Sequence, residues 1–262
     1  MAPAGVPKSF WESLLAAASS GLLLDYDGTL APFREQRDLA FPYDGVRDAL
    51  TVLANETSTR LVIISGRPVR DISRLLAIDR PIEIWGCHGW ERMAPDGNVQ
   101  RDPLEPRTEG ALAEARSWAL GHGLSERCEV KPFGLAFHWR GLRDDEISKL
   151  EKLVMEAWLP LCAAGLELNS FDGGLELLVA GRNKGDAVDR IITELGPDAV
   201  IAYLGDDRTD ENAFRRLNGH GLTVLVRDLY RPTNARYWLR PPDELLQFLH
   251  TWRETASRAR NK

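Results

Sequence analysis

The feature that most constrains this chain is the stretch Gly21-Leu22-Leu23-Leu24-Asp25-Tyr26-Asp27-Gly28-Thr29-Leu30. Consecutive leucines predict a short strand buried on both faces, the kind found inside a parallel sheet. The apolar run stops at Asp25, a second carboxylate follows at Asp27, and Gly28 lets the chain turn sharply. A buried strand that ends in acids sets them at the carboxyl edge of a sheet, where open α/β folds bind ligands. The plainer alternative is a strand followed by an ordinary Asp-Gly turn. What separates the two is whether other strands end the same way.

They do. Arg60-Leu61-Val62-Ile63-Ile64 reads as a second buried strand and ends at Ser65-Gly66-Arg67-Pro68. Ala199 to Leu204 reads as another and ends at Gly205-Asp206-Asp207. Lys184 opens a helix predicted over 183–195. With right-handed crossovers all these ends share one edge of a parallel sheet. Helical spacing over 44–55 and from Pro68 through Leu76 alternates with the strands, which predicts a doubly wound, Rossmann-like α/β core. Ile82 to Trp85 is a third strand, and Asp96-Gly97 a hairpin turn.

Around 102–106 the texture changes. Helices are expected over 109–120 and 144–159. Strand pairs are expected over 127–131 with 135–140, and over 166–170 with 174–179 about Asp172-Gly173-Gly174. This is the pattern of a small α+β unit inserted into the larger sheet. The expected division is a core of 1–103 and 172–262 with an insert of 104–171. The core closes with a helix over 209–217, a strand over 222–226, a helix over 243–252 and a frayed basic tail from Ser257.

Composition narrows the partners. A formal net charge of -6 argues against nucleic acid, whose phosphates favour clustered Lys and Arg. Cys87, Cys128 and Cys162 show no C-x-x-C spacing, so neither a disulfide framework nor a zinc site is expected. A reducing, cytoplasmic setting follows as the expectation. The Leu- and Ala-rich run before Asp25 reads as a helix over 9–19 and then the key strand, not as a secretion signal. No apolar run approaches the roughly 18 residues that span a bilayer, so no membrane partner is expected.

Asp25, Asp27, Asp206, Asp207 and Asp210 would crowd together and repel one another. A hard cation relieves this, and an all-carboxylate setting suits Mg²⁺, which commonly bridges to a phosphate. The ion, Lys184 and backbone N–H groups after Asp25 together can hold a phosphate dianion. Asp25, at the end of the rigid strand, then attacks phosphorus and becomes an aspartyl phosphate. Asp27, on the turn, protonates the departing oxygen and later activates water. That role asks for a raised pKa, from burial or nearby negative charge.

The D-Y-D-G-T-L, S-G-R, Lys184 and G-D-D-R-T-D-E segments, in that order, resemble the four motifs of the haloacid-dehalogenase superfamily. The last of them is similar to that of trehalose-6-phosphate phosphatases. The resemblance implies that Asp25, the Asp27 carbonyl and Asp206 hold Mg²⁺. It implies that Asp207 and Asp210 orient the surroundings, and that Ser65, Gly66 and Lys184 bind the phosphoryl group. In the insert, Glu129, Lys131, His138 and Arg140 resemble the E-x-K and H-x-R of that family's cap, with Glu176 a further sugar-binding acid. Gly86-Cys87-His88-Gly89 resembles its G-x-H-G segment, which adds His88 and Gly89 to the substrate-binding set, as does Arg67 of the S-G-R segment.

The larger, C2-type cap is implied as the seat of specificity, with trehalose 6-phosphate as substrate and a functional link to a trehalose-6-phosphate synthase. Read without the resemblance, the insert's alternating polar residues are a solvated strand face. The chain departs from the family at Leu177-Leu178, where an Arg-Pro pair is usual after the acid. The rivals are a phosphatase or phosphomutase for another sugar phosphate, and a regulatory module that keeps the fold without the chemistry.

Overall fold

The computed structural model describes residues 5–34, 36–171 and 173–260. Helix α1 (Lys8–Ala16) leads into strand β1 (Ser20–Leu24), then α2 (Val46–Glu56), β2 (Arg60–Ile64), α3 (Val69–Leu76) and β3 (Glu83–Gly86). The hairpin β4 (Glu91–Met93) and β5 (Val99–Arg101) follows, then α4 (Pro106–Gly121), β6 (Cys128–Lys131), β7 (Gly134–His138) and α5 (Asp144–Trp158). Next come β8 (Leu166–Phe171), β9 (Gly174–Val179), α6 (Lys184–Leu195), β10 (Val200–Gly205) and α7 (Asp210–Leu217). The chain ends with β11 (Gly221–Val226), β12 (Tyr237–Leu239) and α8 (Asp243–Arg260).

The strands form an eight-stranded sheet in the order β12-β11-β10-β1-β2-β3-β4-β5 and a separate four-stranded sheet in the order β6-β7-β9-β8. In the large sheet β12 through β3 run parallel, and only the β4–β5 hairpin is antiparallel. The pleat explains the continuous apolar runs. Leu22, Leu24, Leu61 and Ile63 face one layer with α1, α2, α3 and α8 side chains such as Leu14, Leu50, Ile72 and Leu249. Leu23, Val62, Ile64 and Tyr203 face the other, with Val188 and Ile191 of α6 and Phe214 and Leu217 of α7. Both faces are covered, which is why β1, β2 and β10 carry largely apolar runs up to the residues that leave the sheet edge.

The chain divides into one unit of 1–101 with 183–262 and a second of 102–182. The boundary expected at 172 would cut the β8–β9 hairpin. β9 pairs with both β7 and β8 and completes the small sheet, so the second unit runs on to Arg182. Its α4 and α5 cover one sheet face with Ala115, Val154 and Trp158. Asp172, in the expected turn, lies outside the described residues.

The tail also differs from its expectation. Helix α8 continues to Arg260 because Ala256 is buried one turn beyond Trp252, whose ring packs on Phe10 and Trp11 of α1. Residues 261 and 262 of that tail lie outside the described set. Among the described residues no helix is long and apolar enough to cross a membrane.

Candidate active site

Strand β1 lies between β10 and β2, with Leu24 opposite Leu204 on one side and Ile63 on the other. Asp25, Ser65 and Asp206 therefore leave three neighbouring strands at the same edge. Each follows immediately on residues that the core locks, so their Cα positions are fixed by the sheet.

Asp25 and Lys184 are both 3% exposed. The Lys184 Nζ donates to Asp25 Oδ1 at 2.6 Å and to Asp210 Oδ1 at 2.7 Å. Lys184 is the first residue of α6, whose N-terminus is closed by Asn183 and Asp186 in a reciprocal cap. Asp210 also accepts from Tyr203 Oη at 2.6 Å and from the N–H groups of Asp206 and Asp207 at 3.0 and 2.9 Å. Both of its oxygens are thus occupied by donors. Asp210 organises the edge rather than offering lone pairs to a cation, although one of its oxygens lies within 4.8 Å of ligand atoms of Asp25 and Asp206.

Asp206 is the opposite case. It is 1% exposed, and neither carboxylate oxygen has a hydrogen-bond partner among the described residues. Arg227 Nη1 approaches Oδ2 only to 3.9 Å. Two orphaned oxygens on a buried acid are costly. Together with Asp25 they form an all-oxygen donor set that fits a hard divalent cation. Asp207, by contrast, is exposed.

The electrostatics agree. Burial, then the charge of Asp210, push the Asp25 carboxyl up to about 7 against the pull of Lys184. Burial, then Asp25 and Asp210, hold Asp206 well above the usual carboxylate range. Burial would lower Lys184, but the charges of Asp210 and Asp25 and their hydrogen bonds outweigh it and raise its pKa. One ammonium is too little charge for three buried carboxylates, and a bound cation would restore the balance.

Asp27 meets a different neighbour from the one expected. Arg67 grips it with two parallel bonds, Nε to Oδ2 and Nη2 to Oδ1, both 2.6 Å. The third bond of that guanidinium goes to the Arg37 carbonyl at 2.8 Å. Arg67 was expected among the substrate-binding groups; at 4% exposure it is instead engaged with the turn after β1. Asp27 accordingly sits beside a cation.

Ser65 is 1% exposed and its Oγ accepts the Arg67 N–H at 3.1 Å, which leaves its own O–H to donate. Cys87, His88 and Gly89 all have positive φ, at 50°, 57° and 104°. For the first two this is a strained, left-handed backbone. It bends the chain after β3 so that the His88 N–H reaches the Ser65 carbonyl at 3.0 Å and the imidazole lies against Gly66. A Cβ on Gly66 would come 2.7 Å from that ring, so the imidazole would have to shift to admit one.

In the second unit the pairing registers place Glu129, Ala136 and Glu176 in one row across three strands. Lys131 and His138 share that face by the period of two. Lys131 pairs with Glu176, and His138 Nε2 lies 3.0 Å from Glu129 Oε2. Arg140, just past β7, is exposed and packs against Gly173. The face therefore presents paired donors and acceptors, while Leu135, Phe137, Leu175 and Leu177 point to the opposite, buried side.

Sequence reasoning missed Tyr203, whose only signal was a lone hydroxyl in a buried strand. It also gave no role to Glu211 and Arg231, described below.

Comparison with known proteins fits this geometry. The family model described as trehalose-phosphatase matches residues 23–243. A Mycobacterium tuberculosis protein described as an uncharacterized glycosyl hydrolase is 32% identical over 252 residues, covering 90% of this chain and 18% of that protein. The trehalose-phosphate phosphatase of Mycobacterium marinum is 30% identical over 248 residues, covering 89% of this chain and 61% of that one. The chain thus spans less than two thirds of these relatives' length. The C-terminal domain of a Candida albicans trehalose-6-phosphate phosphatase superposes with a TM-score of 0.78 at 20% identity, over 97% of this chain and 98% of that one, which shows the shared fold. The strand-end carboxylates and their lysine lie within the matched span, and the chain belongs to the trehalose-phosphatase family.

Proposed function

We propose that the chain is a Mg²⁺-dependent phosphatase that hydrolyses trehalose 6-phosphate to trehalose and phosphate through an aspartyl phosphate on Asp25. The observation that carries this reading is the buried Asp25–Lys184 pair beside the orphaned carboxylate of Asp206. Asp25, the Asp27 carbonyl and Asp206 would hold the ion, whose charge would neutralise the phosphate oxygens. Ser65 Oγ–H, the Gly66 N–H and Lys184 bind the phosphoryl oxygens. Asp25 attacks phosphorus, and the bond from phosphorus to the sugar oxygen breaks. Asp27 gives that oxygen a proton. It then takes one from the water that attacks the acyl phosphate, which frees phosphate and restores Asp25. Donation requires the Asp27 carboxyl to leave the Arg67 fork, so that fork holds Asp27 between turnovers.

Sugar-binding roles are assigned to Glu129, Lys131, His138, Arg140 and Glu176 on the polar face of the second unit; His88 and Gly89 of the first unit are assigned substrate-binding roles separately. A synthase that makes trehalose 6-phosphate would supply the substrate. Phosphate release from a panel of sugar phosphates tests this. Trehalose 6-phosphate should exceed glucose 6-phosphate in kcat/KM by about a hundredfold, since several polar groups left unpaired each cost about 1–3 kcal/mol. Glu129→Ala and Glu176→Ala should shrink that ratio and spare slow hydrolysis of an aryl phosphate. Equal kcat/KM for the two sugars would point to another sugar phosphate, in keeping with the missing Arg-Pro pair after Glu176.

Gly28 gives a second test. It has φ of +81°, and a Cβ there would collide with the Asp206 carboxylate and lie 2.7 Å from Phe33. Gly28→Ala should reduce kcat by about a hundredfold or more through displacement of Asp206, a misplacement of about 1 Å being enough for that loss. Activity near wild type would place the ion-binding carboxylate elsewhere.

A further inference from the structure

Asp206 must present two unpartnered oxygens from a loop, and something must keep that loop from turning them to solvent. Its N–H is held by Asp210, at 3.0 Å. Its carbonyl is held from the far side of the sheet edge, where Arg231 Nε donates to it at 3.0 Å. Arg231 lies in the connection between β11 and β12 and is itself fixed by Glu211 of α7. Nη1 donates to Glu211 Oε1 at 2.6 Å and to the Pro232 carbonyl at 2.9 Å.

Glu211 anchors the rest of that connection too. It accepts from Thr233 Oγ1 and from both the N–H and the side-chain amide of Asn234, each at 2.8 Å. Its side chain is 13% exposed and that of Arg231 is 20% exposed. The other guanidinium nitrogen, Nη2, is buried without a hydrogen-bond partner among the described residues. A half-buried cation held by this many partners is not there for solubility.

We infer that Arg231 and Glu211 are a positioning pair for the divalent-ion site: together they fix the main chain of Asp206 so that its carboxylate oxygens stay aimed at the ion. Neither residue touches the ion or the phosphate. Their action passes through one carbonyl, as outer partners of ion ligands act. The inference rests on the magnesium reading above and extends it to a loop about 25 residues further along the chain.

The test is a calorimetric titration of Mg²⁺ into metal-stripped protein, without substrate. Arg231→Ala should weaken the Mg²⁺ Kd by about 10- to 100-fold. Arg231→Lys, which keeps a donor for the Asp206 carbonyl, should fall between wild type and Arg231→Ala. Glu211→Gln should shift the Kd in the same direction, and it carries the test if Arg231→Ala does not fold. At saturating Mg²⁺ the variants should recover most of kcat. A pair that serves only the fold would lower the metal-free Tm and leave the Kd within about twofold of wild type, which would overturn the inference. Absence of Mg²⁺ binding by wild-type protein that still releases phosphate would overturn the magnesium reading, and this inference with it.

Discussion

Asp25→Asn should lower phosphate release from trehalose 6-phosphate by about ten-thousand-fold or more, the scale of loss when a covalent nucleophile is removed. The amide is nearly isosteric and cannot form an acyl phosphate. It also removes one of the buried negative charges that push one another's pKa up, so the protein should fold at least as stably as wild type in the absence of Mg²⁺. The two effects together separate a chemical role from a structural one. Loss of activity with loss of stability would mark Asp25 as a partner of Lys184 and no more. The readouts are steady-state phosphate release and the urea midpoint of the metal-free protein.

Removal of Mg²⁺ should abolish turnover, and its return should restore it. Without the ion, Asp25 and Asp206 repel both each other and a phosphate dianion, and Lys184 opposes them. The pH dependence has a definite sign. Burial raises the Asp25 carboxyl from 3.8 to about 7, so the contribution of this group to the metal-free fold is fully present below the lower value and is lost as pH rises through the upper one. Mg²⁺ needs the ionised carboxylates and binds the native state alone, so its stabilisation grows over the same range. The rise in Tm on adding Mg²⁺ should therefore be larger at pH 8 than at pH 5. An equal rise at both would exclude these carboxylates as the binding groups.

The large sheet was legible because its site residues follow directly on apolar runs. Leu22 to Leu24, Leu61 to Ile64 and Ile201 to Leu204 announce their strands, and the next polar residue in each case stands at the edge. Partners distant in sequence were not legible. Arg67 sits in a motif that suggests a ligand, yet its fork closes on Asp27, forty positions away. Asp210 reads as one more acid of a cluster until four donors are counted on it, from Lys184, Tyr203 and two main-chain N–H groups. β12 escaped notice because Tyr237, Trp238 and Leu239 are only half-buried and form a three-residue edge strand. The expected unit boundary falls in the turn between β8 and β9, whereas β9 pairs with β8 and with β7, some forty residues earlier, and so belongs to the second unit.

The central claim is that Asp25 takes the phosphoryl group from trehalose 6-phosphate. It is tested most directly by trapping. Wild-type protein turning over trehalose 6-phosphate with Mg²⁺ is acid-quenched and treated with borohydride, which reduces an acyl phosphate to an alcohol. Peptide mass analysis then locates the reduced side chain. The account predicts homoserine in place of Asp25, dependent on both substrate and Mg²⁺, and absent from Asp25→Asn. Reduction at a different carboxylate, or none at position 25 together with turnover by Asp25→Asn within about tenfold of wild type, would contradict it.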